Sequence, residues 1–267
     1  YENDIVKNND EEKTKQLKKL VTPFILRRNK KEVLTELPDK IEQNMILPFN
    51  DEEEKIYVAN LAKVNEELQQ LYDIEGSDKM QILKMLTRLR QLCLEPRLVY
   101  DNIDQPSSKL KACMELIKTM QENKQKVLLF SSFTSVLDLI AEECQKAGIT
   151  YYMLTGSTNK EDRRELVSRF QKDDTTLFLI SLKAGGTGLN LTSAEAVIHF
   201  DPWWNVSAQN QATDRAYRIG QKNNVQVFNL VMKDSVEEKI IELQKRKKEL
   251  ADMFVENNNS GLSQMSK

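Results

Sequence analysis

The run Gln211-Ala212-Thr213-Asp214-Arg215-Ala216-Tyr217-Arg218-Ile219-Gly220-Gln221 carries the strongest chemical signal in the chain. Arg215 and Arg218 are three residues apart, a spacing that on a helix predicts two guanidinium groups on one face, one turn apart. Such a pair is a two-pronged fork suited to the oxygens of a triphosphate. The same spacing also suits an exposed helix in which Asp214 pairs with Arg218. Just upstream, His199-Phe200-Asp201-Pro202-Trp203-Trp204-Asn205 places both tryptophans of the chain side by side after a strand. They read either as plugs at a core edge or as a platform for a nucleic-acid backbone. His199 lies within an apolar run and reads as a hydrogen-bonded sheet histidine, with no chemical role.

Three further segments offer hydroxyl or glycine loops: Ser131-Ser132-Phe133-Thr134, Thr155-Gly156-Ser157 and Lys183-Ala184-Gly185-Gly186-Thr187-Gly188. Backbone N–H groups in such loops, with the helix N-termini beside them, bind anions such as phosphate. Each alone is also an ordinary turn. Six of the eight glycines lie between 148 and 220, so the backbone able to approach a ligand closely is concentrated in one region. The phosphate-binding pattern G-x-x-x-x-G-K-[ST] does not occur, and G-G-T-G fails the dinucleotide pattern. A nucleotide bound here is therefore not held in the usual P-loop way by this chain alone; the phosphates could equally belong to a nucleic-acid backbone.

The elements that must position these residues change character along the chain. Up to about residue 106 the periodicity is helical. Asn50-Asp51-Glu52-Glu53 opens one helix with an N-cap and an acidic first turn, and Ile56, Leu61, Val64, Leu68 and Leu71 supply its stripe. A second helix over 78–93 carries Leu83, Leu86, Leu89 and Cys93 on one side and Lys84, Arg88 and Arg90 on others. Gly76-Ser77 separates the two as a helical hairpin. From Ser107 onward short apolar runs alternate with helices. Strands are predicted over 126–132, 150–154, 177–181, 196–200 and 225–231, and helices over 107–120, 134–147, 159–171 and 207–218. Thr158-Asn159-Lys160-Glu161 and Ser235-Val236-Glu237-Glu238 read as capping boxes, the second opening a long terminal helix to about Glu256. Near-continuous apolar strands between helices predict a parallel sheet covered on both faces, and ligands bind such sheets at the carboxyl ends of the strands.

Composition excludes several classes. With 267 residues, 40% hydrophobic and 30% charged, the chain is a folded globular one, and no apolar run approaches the ~18 residues of a membrane span. Three widely spaced cysteines and a single histidine supply no metal or disulfide framework and suit a reducing interior. A net charge of −2 argues against a basic patch over the whole surface. The basic run Lys245-Arg246-Lys247-Lys248 reads as a solvated helix face. The chain begins at Tyr1 rather than Met, which suggests a fragment of something longer.

The motifs F-S-S-F (130–133), L-T-G-S (154–157), S-L-K-A-G-G-T-G-L-N-L-T-S-A (181–194), D-P-W-W-N (201–205) and Q-A-T-D-R-A-Y-R-I-G-Q (211–221), in this order, resemble the second motor lobe of SWI/SNF-family ATPases, the chromatin-remodeller branch of superfamily-two helicases. F-I-L-R-R-N-K-K-E-V (24–33) and E-L-P-D-K (36–40) resemble the segment joining that family's two lobes. Val206 stands where the family usually has proline, and Asn205 keeps the helix cap. Asp51-Glu52-Glu53-Glu54 follows no strand and does not match the family's acidic magnesium motif.

The resemblance implies an α/β fold: a RecA-like lobe with a mostly parallel sheet, an inserted helical protrusion and a C-terminal brace helix. It divides the chain into an inter-lobe linker (1–49), the protrusion (50–106), the lobe (107–234) and the brace and tail (235–267). It implies an ATP-dependent double-stranded DNA translocase whose first lobe holds most of the ATP and Mg2+, so that this chain alone is inactive. Arg215 and Arg218 would be arginine fingers, with Gln211, Gly186 and Gly188 coupling nucleotide to DNA. Ser131, Ser132, Thr155, Gly156, Lys183 and Trp204 would contact DNA. The expected setting is intracellular and DNA-associated. A passive phosphate-ligand or RNA-binding α/β domain is the alternative, and it has no need of the arginine pair.

Overall fold

A computed structural model describes residues 37–72, 79–185 and 188–255, together with Glu12, Lys13, Gln16, Leu17 and Leu20, which are helical. The segment 24–33, the turn at Gly76-Ser77, Gly186 and the tail 257–267 lie outside the described residues. The chain divides into two compact units, Leu37–Ile241 and Tyr1–Glu36 with Glu242–Lys267.

The larger unit is built on six strands, all parallel: β1 (Lys40–Leu47), β2 (Val127–Ser131), β3 (Tyr151–Leu154), β4 (Leu177–Ser181), β5 (Ala196–His199) and β6 (Val225–Met232), in the order β1-β6-β5-β2-β4-β3. The helices are α1 (Asp51–Tyr72), α2 (Lys79–Leu94), α3 (Ser108–Glu122), α4 (Thr134–Lys146), α5 (Lys160–Lys172), the single turn α6 (Leu182–Gly185), α7 (Val206–Thr213) and α8 (Val236–Val255). None is long and apolar enough to cross a membrane.

Every residue of β2 and β4 is buried, as expected of strands covered on both faces. Their alternation feeds two cores. Val127 and Leu129 pack with Leu110, Ile117, Leu137 and Ile140 of α3 and α4. Leu128 and Phe130 pack with Phe170 of α5 and Ala212 of α7. A third cluster joins α1 and α2 through Tyr57, Val64, Met85, Leu89 and Cys93, with Met232 at the end of β6.

Helix starts follow the side-chain chemistry. Asn50 Oδ1 accepts from the N–H groups of Glu52 and Glu53 at 3.0 and 2.9 Å, and Glu53 accepts from the Asn50 N–H at 3.1 Å, a reciprocal box. At α5 the cap is Asn159, which accepts from Glu161 and Asp162. Thr158, expected in that role, instead accepts from the Thr155 N–H at 3.1 Å.

Four expectations are corrected by the structure. Residues 40–47, read as part of a helical linker, form β1, which pairs along its whole length with β6 from Lys40↔Val225 to Leu47↔Met232. Its polar side chains are used rather than merely exposed: Glu42 and Asn44 accept from Asn229 at 3.2 and 2.9 Å. Leu83, expected on the apolar stripe of α2, is 55% exposed. Arg90, expected off that stripe with Lys84 and Arg88, is 6% exposed. Helix α7 ends at Thr213, not at Arg218. The backbone tightens there, with the N–H groups of Arg215 and Ala216 donating to Ala212 and Thr213, because the buried Ala216 and Tyr217 turn into the second core.

All three cysteines are buried and free. Burial pushes each thiol up, Cys144 to about 12, so none is a ready nucleophile.

His199 is buried, with Nε2 2.9 Å from Thr213 Oγ1 and its ring stacked on Phe130. Burial presses its pKa from 6.5 down to about 4, more strongly than the carboxylates of Glu42 and Asp201 raise it. The unfolded chain therefore takes up a proton between pH 6.5 and 4 that the folded chain refuses. Stability contributed by neutral His199 is complete above 6.5 and is lost towards pH 4, by about 3 kcal/mol in all. Thermal melts across that window should fall less steeply for His199→Gln than for the wild type; parallel curves would remove His199 from the acid response.

Candidate nucleotide and nucleic-acid interface

A parallel sheet gathers the carboxyl ends of its strands on one edge, and the order β5-β2-β4-β3 sets four loops there side by side. They are Asp201–Asn205, Ser131–Phe133, the glycine loop after β4 and Thr155–Ser157. The chain leaves β2 towards β3 and leaves β5 towards β6, so the connections diverge between β2 and β5. That divergence is the switch point at which doubly wound sheets bind ligands.

The switch point is organised around Asp201, 5% exposed. Its Oδ1 accepts from Ser131 Oγ at 2.7 Å and from the Ser132 N–H at 2.9 Å. Its Oδ2 accepts from Ser132 Oγ and, at 2.8 Å, from Arg90 Nη2. Arg90 Nη2 also donates to Ser132 Oγ at 2.9 Å. Ser131 Oγ in turn accepts from the Phe133 N–H at 3.2 Å. The hydroxyls of Ser131 and Ser132 thus point inward, and α4 begins at Thr134 without a side-chain cap.

The tryptophan loop is held from its other side too. Gln209, buried on α7, accepts from the Trp203 N–H at 3.2 Å and donates to Asn229 at 3.0 Å. Asn205 caps α7 by accepting from Ser207 and Ala208, so the valine at 206 leaves the helix start intact. Trp203 packs against the second core, and Trp204 is half-buried.

In the loop after β3, Thr155 Oγ1 and Ser157 Oγ lie 2.8 Å apart, and Gly156 is exposed. In the loop after β4, Lys183 is exposed on α6. Gly185 lies against the core: a β-carbon there would stand 2.9 Å from the Phe130 ring. Gly188 adopts a φ of 44°, the left-handed region that favours glycine.

The arginine motif meets the segment that leaves the glycine loop, where the Leu191 N–H donates to the Arg215 carbonyl at 3.0 Å. Gln221 fixes the far end of the motif by donating to the carbonyls of Ala194 and Ala216 at 2.8 and 3.2 Å. Arg215 is half-buried, Arg218 and Gln211 are exposed, and the two arginines form a turn rather than a helical face. Burial, and then the neighbouring positive charge of Arg218, hold the Arg215 guanidinium below its ordinary value. Two like charges on one turn are relieved by an anion, and guanidinium groups suit phosphate oxygens.

Sequence reasoning missed Arg90 and Asp201, and also the cations of α5. Lys160, Arg163 and Arg164 line an open cleft of about 750 Å³ whose other wall includes Gly188, Leu189 and Asn190. Arg163 Nη1 donates to the Ala184 carbonyl at 3.3 Å, joining α5 to the glycine loop. The signal available for α5 was its adjacent arginine pair directly after a helix start. Among the described residues no group of three His, Cys, Asp or Glu side chains is placed to hold a metal.

The helicase conserved C-terminal domain matches residues 108–220, and the SNF2-related domain matches residues 1–98. An uncharacterized ATP-dependent helicase of Mycoplasma pneumoniae is 39% identical over 246 residues, 90% of this chain and 24% of that protein. The ISWI chromatin-remodeling complex ATPase ISW1 of Saccharomyces cerevisiae is 35% identical over 263 residues, 93% of this chain and 23% of that protein. The chain therefore spans about a quarter of the length of these curated relatives. Among solved structures, the Sulfolobus solfataricus SWI2/SNF2 ATPase core in complex with dsDNA is similar with a TM-score of 0.68 and 32% identity, covering 98% of this chain and 56% of that one. The fold is accordingly RecA-like, and both matched domains, these relatives and this neighbour support a SWI2/SNF2-type C-terminal motor lobe.

Proposed function

We propose that this chain is the second motor lobe of an ATP-dependent double-stranded DNA translocase. The observation that carries the reading is the arginine pair. Arg215 and Arg218 flank the buried Ala216 and Tyr217, and the same turn bonds to the segment leaving the glycine loop. A passive binding domain has no need of two cations set at such a coupling point.

In this reading ATP lies between this lobe and a first lobe that carries the phosphate-binding lysine and the acidic ligands of Mg2+, which neutralises charge on the phosphates. Arg218, exposed, and Arg215, braced by Leu191, receive the negative charge that builds on the γ-phosphoryl group. Gln211 lines the same approach, and Gly186 and Gly188 pass the closure of the lobes to the DNA side. Thr155, Gly156, Lys183 and Trp204 face the duplex backbone. Ser131 and Ser132 act through Asp201, leaving the uncapped amides of α4 as phosphate donors at that loop. Helices α1 and α2 are the protrusion, and the helix from Val236 is the brace. The duplex bound by the Sulfolobus core supports duplex DNA as the partner, and a DNA-associated, intracellular setting follows from that partner.

Without a phosphate-binding loop of its own, the isolated chain should hydrolyse no ATP, whereas the full-length protein should do so faster with duplex DNA. DNA-dependent turnover by the isolated chain would refute the half-site reading. Gly156 gives a second check. A β-carbon there meets nothing within 4 Å, so Gly156→Ala should leave the melting temperature within about 1 °C. Any role of the bare backbone against phosphate then shows as weaker duplex binding, of roughly tenfold. Unchanged affinity would take Gly156 out of the grip.

A further inference from the structure

We infer that Arg90 is a positioning residue for the nucleic-acid grip, delivered to the switch point by an element outside the sheet. The inference rests on the reading above, that the loops at this edge hold duplex DNA. At a switch point the crevice between diverging strands is ordinarily left to the ligand. Here the guanidinium of Arg90, carried by α2, occupies it. Helix α2 shares a core with α1, and its last residue, Leu94, joins the first sheet core; Arg90 carries the helix on to the loops.

Three features make the guanidinium an organiser rather than a contact to DNA. It is almost fully enclosed, with 7% of the side chain exposed. Its Nη2 bonds both Asp201 Oδ2 and Ser132 Oγ, at 2.8 and 2.9 Å, so it ties the loop after β5 to the loop after β2. Its carbon lies 4.9, 5.2 and 5.9 Å from the ring centres of Phe133, Trp203 and Trp204. A planar cation among three aromatic rings fixes ring orientation by cation–π attraction and stacking. The exposed edge of Trp204 and the start of α4 therefore take their positions from a group that solvent scarcely touches. An ammonium ion in the same place has neither the plane nor the fork.

The test uses the full-length protein and reads the duplex concentration giving half-maximal stimulation of ATP hydrolysis, at several salt concentrations. The variants are Arg90→Met, Arg90→Lys and Trp204→Ala. Both Arg90 variants should raise the half-saturating concentration about tenfold or more, with a much smaller change in turnover at saturating duplex. Lysine should not rescue. The slope of log affinity against log salt should stay at the wild-type value, because no phosphate contact is removed. A slope shallower by about 0.9 would make Arg90 a direct phosphate ligand and overturn the inference. Full rescue by lysine, or wild-type half-saturation in Arg90→Lys, overturns it equally, including where Arg90→Met does not fold. If Trp204→Ala weakens binding while both Arg90 variants match the wild type, only the positioning role falls. If Trp204→Ala also matches the wild type, the DNA-grip reading falls and takes the inference with it.

Discussion

Replacing Arg218 by alanine in the full-length protein should lower DNA-stimulated ATP hydrolysis by on the order of 10³-fold while changing duplex affinity by less than about threefold. The asymmetry comes from where the side chain sits. Arg218 is exposed on a turn whose neighbours Ala216 and Tyr217 are buried, so truncation at 218 leaves the turn anchored. It also leaves the switch-point network and the Thr155–Ser157 loop untouched, and those groups hold DNA in this account. Arg215 is a less clean probe. It is half-buried, and its carbonyl accepts from Leu191, so its replacement mixes loss of charge with loss of packing. A turnover in Arg218→Ala above half that of the wild type would remove the arginine from the hydrolytic machinery.

The second large effect is on stability. Lys109 is 0% exposed, and its Nζ donates to both carboxylate oxygens of Glu237 at 2.7 and 2.8 Å, beneath the Phe200 ring. Glu237 also accepts from the Met232 N–H at 2.8 Å, which joins α3, the end of β6 and the first turn of α8. Removing one partner of a buried ion pair leaves a charge with neither water nor counter-ion, at a cost of about 3–5 kcal/mol. Glu237→Gln should therefore lower the melting temperature by roughly 10 °C in a domain of this size. Lys109→Met with Glu237→Leu should recover most of the loss, since two apolar side chains leave no charge uncompensated. A Glu237→Gln melt within about 2 °C of the wild type would show that water reaches the pair.

These outcomes depend on features that were unequally visible in the sequence. The strands β2, β4, β5 and β6 were legible because a strand buried on both faces is a nearly unbroken apolar run, as in Val127–Ser131 and Leu177–Ser181. Strand β1 was not. It is Lys-Ile-Glu-Gln-Asn-Met-Ile-Leu, whose polar residues bond Asn229, a partner 185 residues away in the chain. The arginine motif was legible by residue type but not by geometry. Local spacing favoured a continued helix, and the long-range Leu191 contact and the burial of Tyr217 ended it.

Arg90 shows the limit most clearly. An arginine within an amphipathic helix reads as solvated, because burial of a charge is normally too costly without a partner. The partner, Asp201, lies 111 residues further on, and local periodicity carries no trace of it. The same network changes how Ser131 and Ser132 act. Their types and position matched a phosphate loop, yet their hydroxyls serve Asp201. The low net charge of the chain is consistent with this site, where a duplex would meet loop amides, a single lysine, Lys183, and an aromatic ring, with Arg90 turned inward.

Translocation along duplex DNA is read out by displacement of a third strand from a DNA triplex by the full-length protein. Release of the third strand should require hydrolysable ATP, grow with the length of the flanking duplex and leave the two duplex strands paired. A protein that hydrolyses ATP in response to the same duplex, yet releases no third strand beyond the level without ATP, would contradict translocation.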